Sequence, residues 1–176
     1  ALIKSSIGSF NTLNNSVQFS TGKLNNGFDF SGRLSRIVSD GYIDRASARL
    51  SSYFLEGNYQ RGSTQLKGLL FGGHEVTYQA WNGIDAATLE SDRTFNPSGI
   101  YTDAQGNTQF HNKEEDNYKQ DHAQFHWSEQ LAGGWSSQMA LHFTRGRGYF
   151  EQYKPGETDA DYDIGLPANA PTDLIR

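Results

Sequence analysis

Histidine, aspartate and arginine supply the chain's candidates for chemistry. His122 and His126 are four residues apart, the spacing that puts two zinc ligands on one helix face. They fall, however, in an alternating run that reads as a strand, where four residues span about 13 Å and two imidazoles cannot share an ion. They are read as polar side chains of a strand. His74-Glu75 is not followed by a histidine, because position 78 is Tyr78, so the helical metalloprotease motif is absent. Asp159, Asp161 and Asp163 alternate as a calcium loop begins, but Ile164 and Ala170 stand where that loop needs glycine and glutamate. The run reads as a solvated acidic loop. Arg145-Gly146-Arg147-Gly148 resembles RNA-binding arginine-glycine segments, yet it ends an alternating strand in a chain of net charge -5, which gives no general attraction to nucleic acid. Arginines there suit phosphate groups such as those of lipopolysaccharide.

A second kind of candidate is aromatic. Between Val76 and Glu115 lie Tyr78, Trp81, Phe95, Tyr101 and Phe110 among polar residues, and loops carried on a rigid scaffold commonly hold binding residues. Their rings could stack on a sugar or an aromatic chelate, which makes these five the expected ligand-binding residues. The plainer alternative is that they pack the loop on itself. No Walker loop, nucleophile elbow or thiol motif occurs, so no enzyme is expected, and nothing implies a cofactor or a resident metal.

The elements that position these residues are strands. Ala123, Phe125 and Trp127 alternate with His122, Gln124 and His126, and after Leu131-Ala132-Gly133-Gly134 the residues Trp135, Met139, Leu141 and Phe143 alternate with polar neighbours. Period-two alternation puts each set on its own face, and the glycines supply a tight hairpin turn. An earlier hairpin joins Leu13, Val17 and Phe19 to Phe28, Phe30 and Leu34 through Leu24-Asn25-Asn26-Gly27, with Asn-Gly as the turn signal. A third pairs Tyr53, Leu55, Gly57 and Tyr59 with a strand from Thr64 to about Gly73. Its return arm is ambiguous, since Leu66, Leu69, Leu70 and Phe71 fall on both faces.

The turns within the hairpins are short, whereas at the other ends the connection over about 39–46 is modest, 74–116 is very long and 148–176 shows no strand alternation. Short turns on one rim and long loops on the other describe a transmembrane β-barrel. At 35% hydrophobic residues the chain lacks the roughly 20 consecutive apolar residues of a membrane helix, a test that barrels escape because half of each strand faces a polar lumen. Aromatic content of 13% argues against disorder. With no cysteine, disulfide scaffolds and thiolate metal sites are excluded. Six strands in three hairpins are expected, fewer than the roughly eight of the smallest closed outer-membrane barrels, so the chain is part of a longer barrel, or closes by oligomerising, or is not a membrane protein.

Certain runs carry a resemblance. Gly8-Ser9-Phe10-Asn11-Thr12, Gly32-Arg33-Leu34-Ser35-Arg36, Ser39-Asp40-Gly41-Tyr42-Ile43-Asp44-Arg45-Ala46 and Thr77-Tyr78-Gln79-Ala80-Trp81-Asn82-Gly83 resemble the barrel of TonB-dependent receptors of the Bacteroidetes type. Arg93-Thr94-Phe95-Asn96-Pro97, Asn117-Tyr118-Lys119-Gln120-Asp121-His122 and the run from Leu141 to Tyr153 fit the same pattern. The resemblance implies an internal segment, over 1–176, of an up-and-down barrel in the cell outer membrane. It implies part of a wall for energised uptake of a ferric siderophore, haem, cobalamin or glycan. Outer-membrane lipid and lipopolysaccharide, a plug domain and the TonB complex would be its partners, with 74–116 and 148–176 as extracellular loops.

On that picture Val17, Phe19, Leu55, Phe125, Trp127, Met139, Leu141 and Phe143, with Leu13, Tyr53 and Ala123, face lipid. Arg33 and Glu56 fall on the opposite, polar face. Two alternatives share the alternating strands and aromatic loops: a soluble antiparallel β-sandwich that binds carbohydrate, and an outer-membrane barrel or adhesin without energised transport.

Overall fold

A computed structural model describes residues 1–154, 157, 162 and 174–175. The acidic run Asp159, Asp161 and Asp163 lies outside the described residues. The strands are β1 (Leu2–Gly8), β2 (Thr12–Ser20), β3 (Phe28–Ser39), β4 (Ala48–Arg61) and β5 (Thr64–Tyr78). A short helix α1 (Ala86–Ser91), β6 (Ile100–Thr102) and β7 (Thr108–Phe110) follow, then β8 (Glu115–Gln130), β9 (Ser136–Phe150), β10 (Gln152–Tyr153) and β11 (Leu174–Ile175). Seven of these form one antiparallel sheet in the order β1-β2-β3-β4-β5-β8-β9, and two small two-stranded sheets, β6-β7 and β10-β11, accompany it.

The turns follow from residue chemistry. Gly62 has φ 60° in the two-residue link between Arg61 and Thr64, which oppose each other in the ladder. Gly133 and Gly134, at φ 75° and 81°, close the β8-β9 hairpin, and the Leu131 N–H donates to the Trp135 carbonyl at 2.8 Å. In the β1-β2 turn it is Phe10 and Asn11 that take left-handed backbones, φ 59° and 51°. The missing glycine hid this turn, and with it β1, from the sequence reading.

Register assigns the faces. Rows such as Phe28-Tyr59-Leu66-Trp127-Met139 and Phe19-Gly32-Leu55-Leu70-Ala123-Phe143 run across the sheet on one side. Arg33-Phe54-Phe71-His122-Thr144 runs on the other. The ambiguous arm resolves by parity: Leu66 and Leu70 lie on the first face, Leu69 and Phe71 on the second. Val17, Phe19, Leu55, Phe125, Trp127, Met139, Leu141 and Phe143 all share the first face, and all except the half-buried Trp127 are exposed. At Gly32 a side chain would meet the Phe19 ring at 2.5 Å, so glycine makes room there for the apolar row.

The architecture is all-β, but the expected barrel segment is corrected in three respects. The main sheet has seven strands rather than six. It is open: β1 and β9 stand at opposite ends of the strand order and do not pair with each other. The rims are not cleanly divided into short turns and long loops, because the tight Ser9-Phe10-Asn11 turn shares its rim with the long connection after β5.

A membrane position, read from strand alternation and from turns of unequal length, requires closure, since a sheet with open edges leaves backbone donors and acceptors unpaired in hydrocarbon at several kcal/mol each. Without closure, the outer-membrane location has no structural basis. Neither do outer-membrane lipid, lipopolysaccharide, a plug domain or the TonB complex as partners, nor a wall for energised uptake. No helix among the described residues is long and apolar enough to cross a membrane.

Candidate functional site

The long connection between β5 and β8 is built around Arg45. Its backbone sits at φ 63° in the β3-β4 loop and aims the guanidinium into the connection, where Nη2 donates to the carbonyls of Asn96 and Ser98. The guanidinium carbon lies 3.8 Å from the Phe110 ring centre and 5.9 Å from that of Tyr78, a cation over aromatic faces. Asn96, 1% exposed, donates through Nδ2 to the carbonyls of Asp44 at 3.0 Å and Gln79 at 3.2 Å. Asp85 caps α1 by accepting the Thr88 N–H at 2.7 Å, and this bond holds its carboxyl below the usual range.

The five aromatic residues expected to bind ligand are placed differently from one another. Tyr78 is 8% exposed, and its hydroxyl donates to the His111 carbonyl at 2.6 Å; burial raises its pKa, partly offset by Arg45. Phe95 meets Phe110 edge-on at 6.3 Å, and Tyr101 tilts against Tyr153 at 5.2 Å. Trp81 is 46% exposed beside Phe150 at 6.0 Å. The structure therefore brings Tyr78 and Phe110 to Arg45, with Phe95 against Phe110, and sets Tyr101 and Trp81 apart against the β9-β10 end.

A different constellation lies on the polar face of the sheet. An open depression of about 650 Å3 is lined by strands β3, β4, β5 and β8. Its floor is a ring row: His122 stacks on Phe71 at 4.6 Å with 10° between planes, and Phe54 follows at 6.4 Å. The His122 Nδ1 is 3.0 Å from the Thr144 hydroxyl, which fixes the imidazole. Ser35, Ser52, Glu75 and Gln120 bring hydroxyl, carboxylate and amide groups to the lining.

Tyr118 forms one wall, and the sequence reading did not single it out. A side chain at Gly146 would lie 2.5 Å from the Tyr118 hydroxyl oxygen, and one at Gly148 would lie 2.7 Å from its ring. The ring therefore rests across both glycines of β9, supported from below, and is 40% exposed. This accounts for Arg145-Gly146-Arg147-Gly148 without a nucleic acid or a lipopolysaccharide phosphate. The glycines seat Tyr118, while Arg145 and Arg147 sit opposite Asp121 and Lys119 on the other face. The signal, small residues facing an aromatic on the next strand, is readable only when the register is known.

Towards the short-turn rim the same face is polar. Asn58 Nδ2 donates to Asp29 at 2.9 Å and to Glu56 at 2.6 Å, and Lys67 lies 4.0 Å from Glu56. His126 Nε2 is 3.1 Å from Gln124 Oε1. Among the described residues no group of three or more His, Cys, Asp and Glu side chains is placed to hold a metal ion.

No family model, no curated protein and no solved structure matches the chain. The resemblance to TonB-dependent receptors thus finds no support in comparison and none in the open sheet, and it is withdrawn. The residue runs that suggested it are turn and strand chemistry that other antiparallel sheets share: a tight turn at Ser9-Phe10-Asn11, a glycine under Phe19, and two glycines under Tyr118.

Proposed function

We propose that this chain is a carbohydrate-binding β-sheet domain, without catalytic activity, whose site is the polar-face depression. The observation that carries the reading is Tyr118, an exposed ring held across Gly146 and Gly148 beside the Phe54, Phe71 and His122 row. A pyranose has an apolar C–H face and a rim of hydroxyls. Supported aromatic rings suit the first, and the Ser35, Ser52, Glu75 and Gln120 groups suit the second. The site is open, which fits a chain segment of a longer glycan better than an enclosed small molecule. The domain is a single main sheet and not a sandwich, so the reading rests on the site and takes nothing from the fold.

The test is titration of the purified chain with a panel of soluble oligosaccharides, followed by calorimetry and by amide chemical shifts. Shifts should cluster at Phe71, Tyr118, Gln120 and His122. Tyr118→Ala should weaken binding by about tenfold, equivalent to about 1.4 kcal/mol. Gly148→Val should do the same by lifting the ring off its seat. Binding that survives both substitutions unchanged, or a panel with no binder, would remove the proposal.

A further inference from the structure

We infer that the edge of β9, unpaired among the described residues, is a pairing surface for a second copy of this chain, joined about a twofold axis normal to the sheet at Leu141. The Leu131 N–H donates to the Trp135 carbonyl, and the Glu151 N–H to the Glu115 carbonyl. Odd-numbered residues along β9 therefore turn their backbone groups towards β8. Backbone direction alternates along a strand, so Ser136, Gln138, Ala140, His142, Thr144 and Gly146 turn theirs outward, where the strand order of the described residues ends.

An edge of this kind is ordinarily blunted by charge, proline or a bulge. From Ser136 to Thr144 β9 has no proline and no Asp, Glu, Lys or Arg, and its ladder to β8 runs without interruption. β1, the other edge, is seven residues long and carries Lys4.

The β9 edge is also complementary to itself. In an antiparallel pair centred on Leu141, Ala140 meets His142 of the second copy and Gln138 meets Thr144, so outward-facing backbone groups meet as hydrogen-bonded pairs. Leu141 then faces its own counterpart, and Met139 faces Phe143. These three are exposed apolar residues of β9, 47%, 59% and 64% exposed at Met139, Leu141 and Phe143. A twofold axis normal to the sheet keeps the apolar faces of both copies on one side. The interface is isologous, so the assembly stops at two copies along this edge.

The chain has no cysteine, so single cysteines report the geometry directly. Opposed residues in a pair that is not hydrogen-bonded have Cα atoms about 4.5 Å apart, within disulfide reach. Under mild oxidation Leu141→Cys should give a covalent dimer about tenfold faster than Gln138→Cys, whose counterpart lies several residues away along the pair. Ala140→Pro removes one outward N–H from an edge strand, where proline is tolerated. It should leave strand content intact and make the chain monomeric by light scattering. Equal rates for the two cysteine variants would indicate unspecific association and overturn the inference. Selective cross-linking of Ser5→Cys would assign pairing to β1 and overturn it equally, as would a wild-type chain that stays monomeric at high concentration.

Discussion

The main sheet and the loop cluster at its end are ordered by different means. Along β9 nearly every residue is exposed, and the sheet holds its shape through the backbone ladder and through side chains packed against their cross-strand neighbours. Among the described residues the buried side chains, Tyr78, Asn96, Ser98, Glu114 and Glu151, lie in or beside the connection from β5 to β8. All except Tyr78 are polar or charged. A single sheet layer has no interior to bury side chains in, whereas a folded-over loop makes its own interior and fills it with specific hydrogen bonds. The loop cluster should therefore be the more sensitive region to a single polar substitution, and the sheet the more sensitive to an added side chain.

Arg45→Ala breaks the comparison hardest. It removes the donor to Asn96 and Ser98 and the cation over Phe110, a loss of about 3 kcal/mol from one charged hydrogen-bonding group and one cation-aromatic contact. Hydrogen exchange should become fast across 79–114 while the β3-β4-β5 ladder keeps its protection. Loss of protection in both regions at once would show that they are one cooperative unit. Arg45→Lys should rescue little, because a point charge on a flexible stem does not reproduce the guanidinium fork.

How much of this was legible in the sequence depended on how local each feature is. Period-two alternation placed Phe125 and Trp127 with Met139, Leu141 and Phe143, and the register puts all five on one face, because a strand's faces are set by adjacent residues alone. The long connection was visible as a length, but not the β6-β7 hairpin in it, whose strands are only three residues each. Arg45 gave no signal, since it acts on residues about fifty positions away. Tyr118 and its two glycines likewise meet only through the β8-β9 register. The barrel expectation failed because alternation within a strand sets its two faces and is shared by any antiparallel sheet with unlike faces, so it carries no information about whether the sheet curls into a wall.

In the sheet, Gly72→Val is the matching perturbation. Tyr53 and Asp121 flank Gly72 in the same row, and the Tyr53 hydroxyl donates across it to Asp121 at 3.0 Å. That bond is the largest cause of the raised tyrosine pKa. A side chain at Gly72 would lie 2.5 Å from the Gln120 carbonyl oxygen and 2.9 Å from the Asp121 carboxylate. The overpacking should cost about 1–3 kcal/mol. It should appear as faster amide exchange along the β5-β8 ladder, with α1 and the β6-β7 hairpin unaffected. Tyr53→Phe should cost less, since it removes a hydrogen bond at the surface without adding volume.

The smallest expected effect sharpens the comparison within the loop cluster itself, by separating its exposed tip from its buried base. Asp103 accepts the N–H groups of Asn107 at 2.8 Å and Gln105 at 3.0 Å, and the side-chain amides of Asn107 and Gln109 at 3.3 and 3.2 Å. These bonds, the Asn107 N–H foremost, hold its carboxyl below the usual carboxylate range. A lowered folded-state pKa means that the carboxylate stabilises the hairpin fully above the unfolded value of about 3.9. The contribution is then lost as pH falls through the lower folded value. The β6-β7 amides, including the Gly106 N–H that donates to the Asp103 carbonyl at 3.0 Å, should begin to lose protection below about pH 4. The Asn96 and Arg45 bonds contain no carboxylate, so the amides those two side chains hold in place should keep their protection over the same range. Asp103→Asn should abolish the dependence on pH. If the acid-induced loss at the tip persisted in that variant, its cause would lie in another carboxylate of the connection.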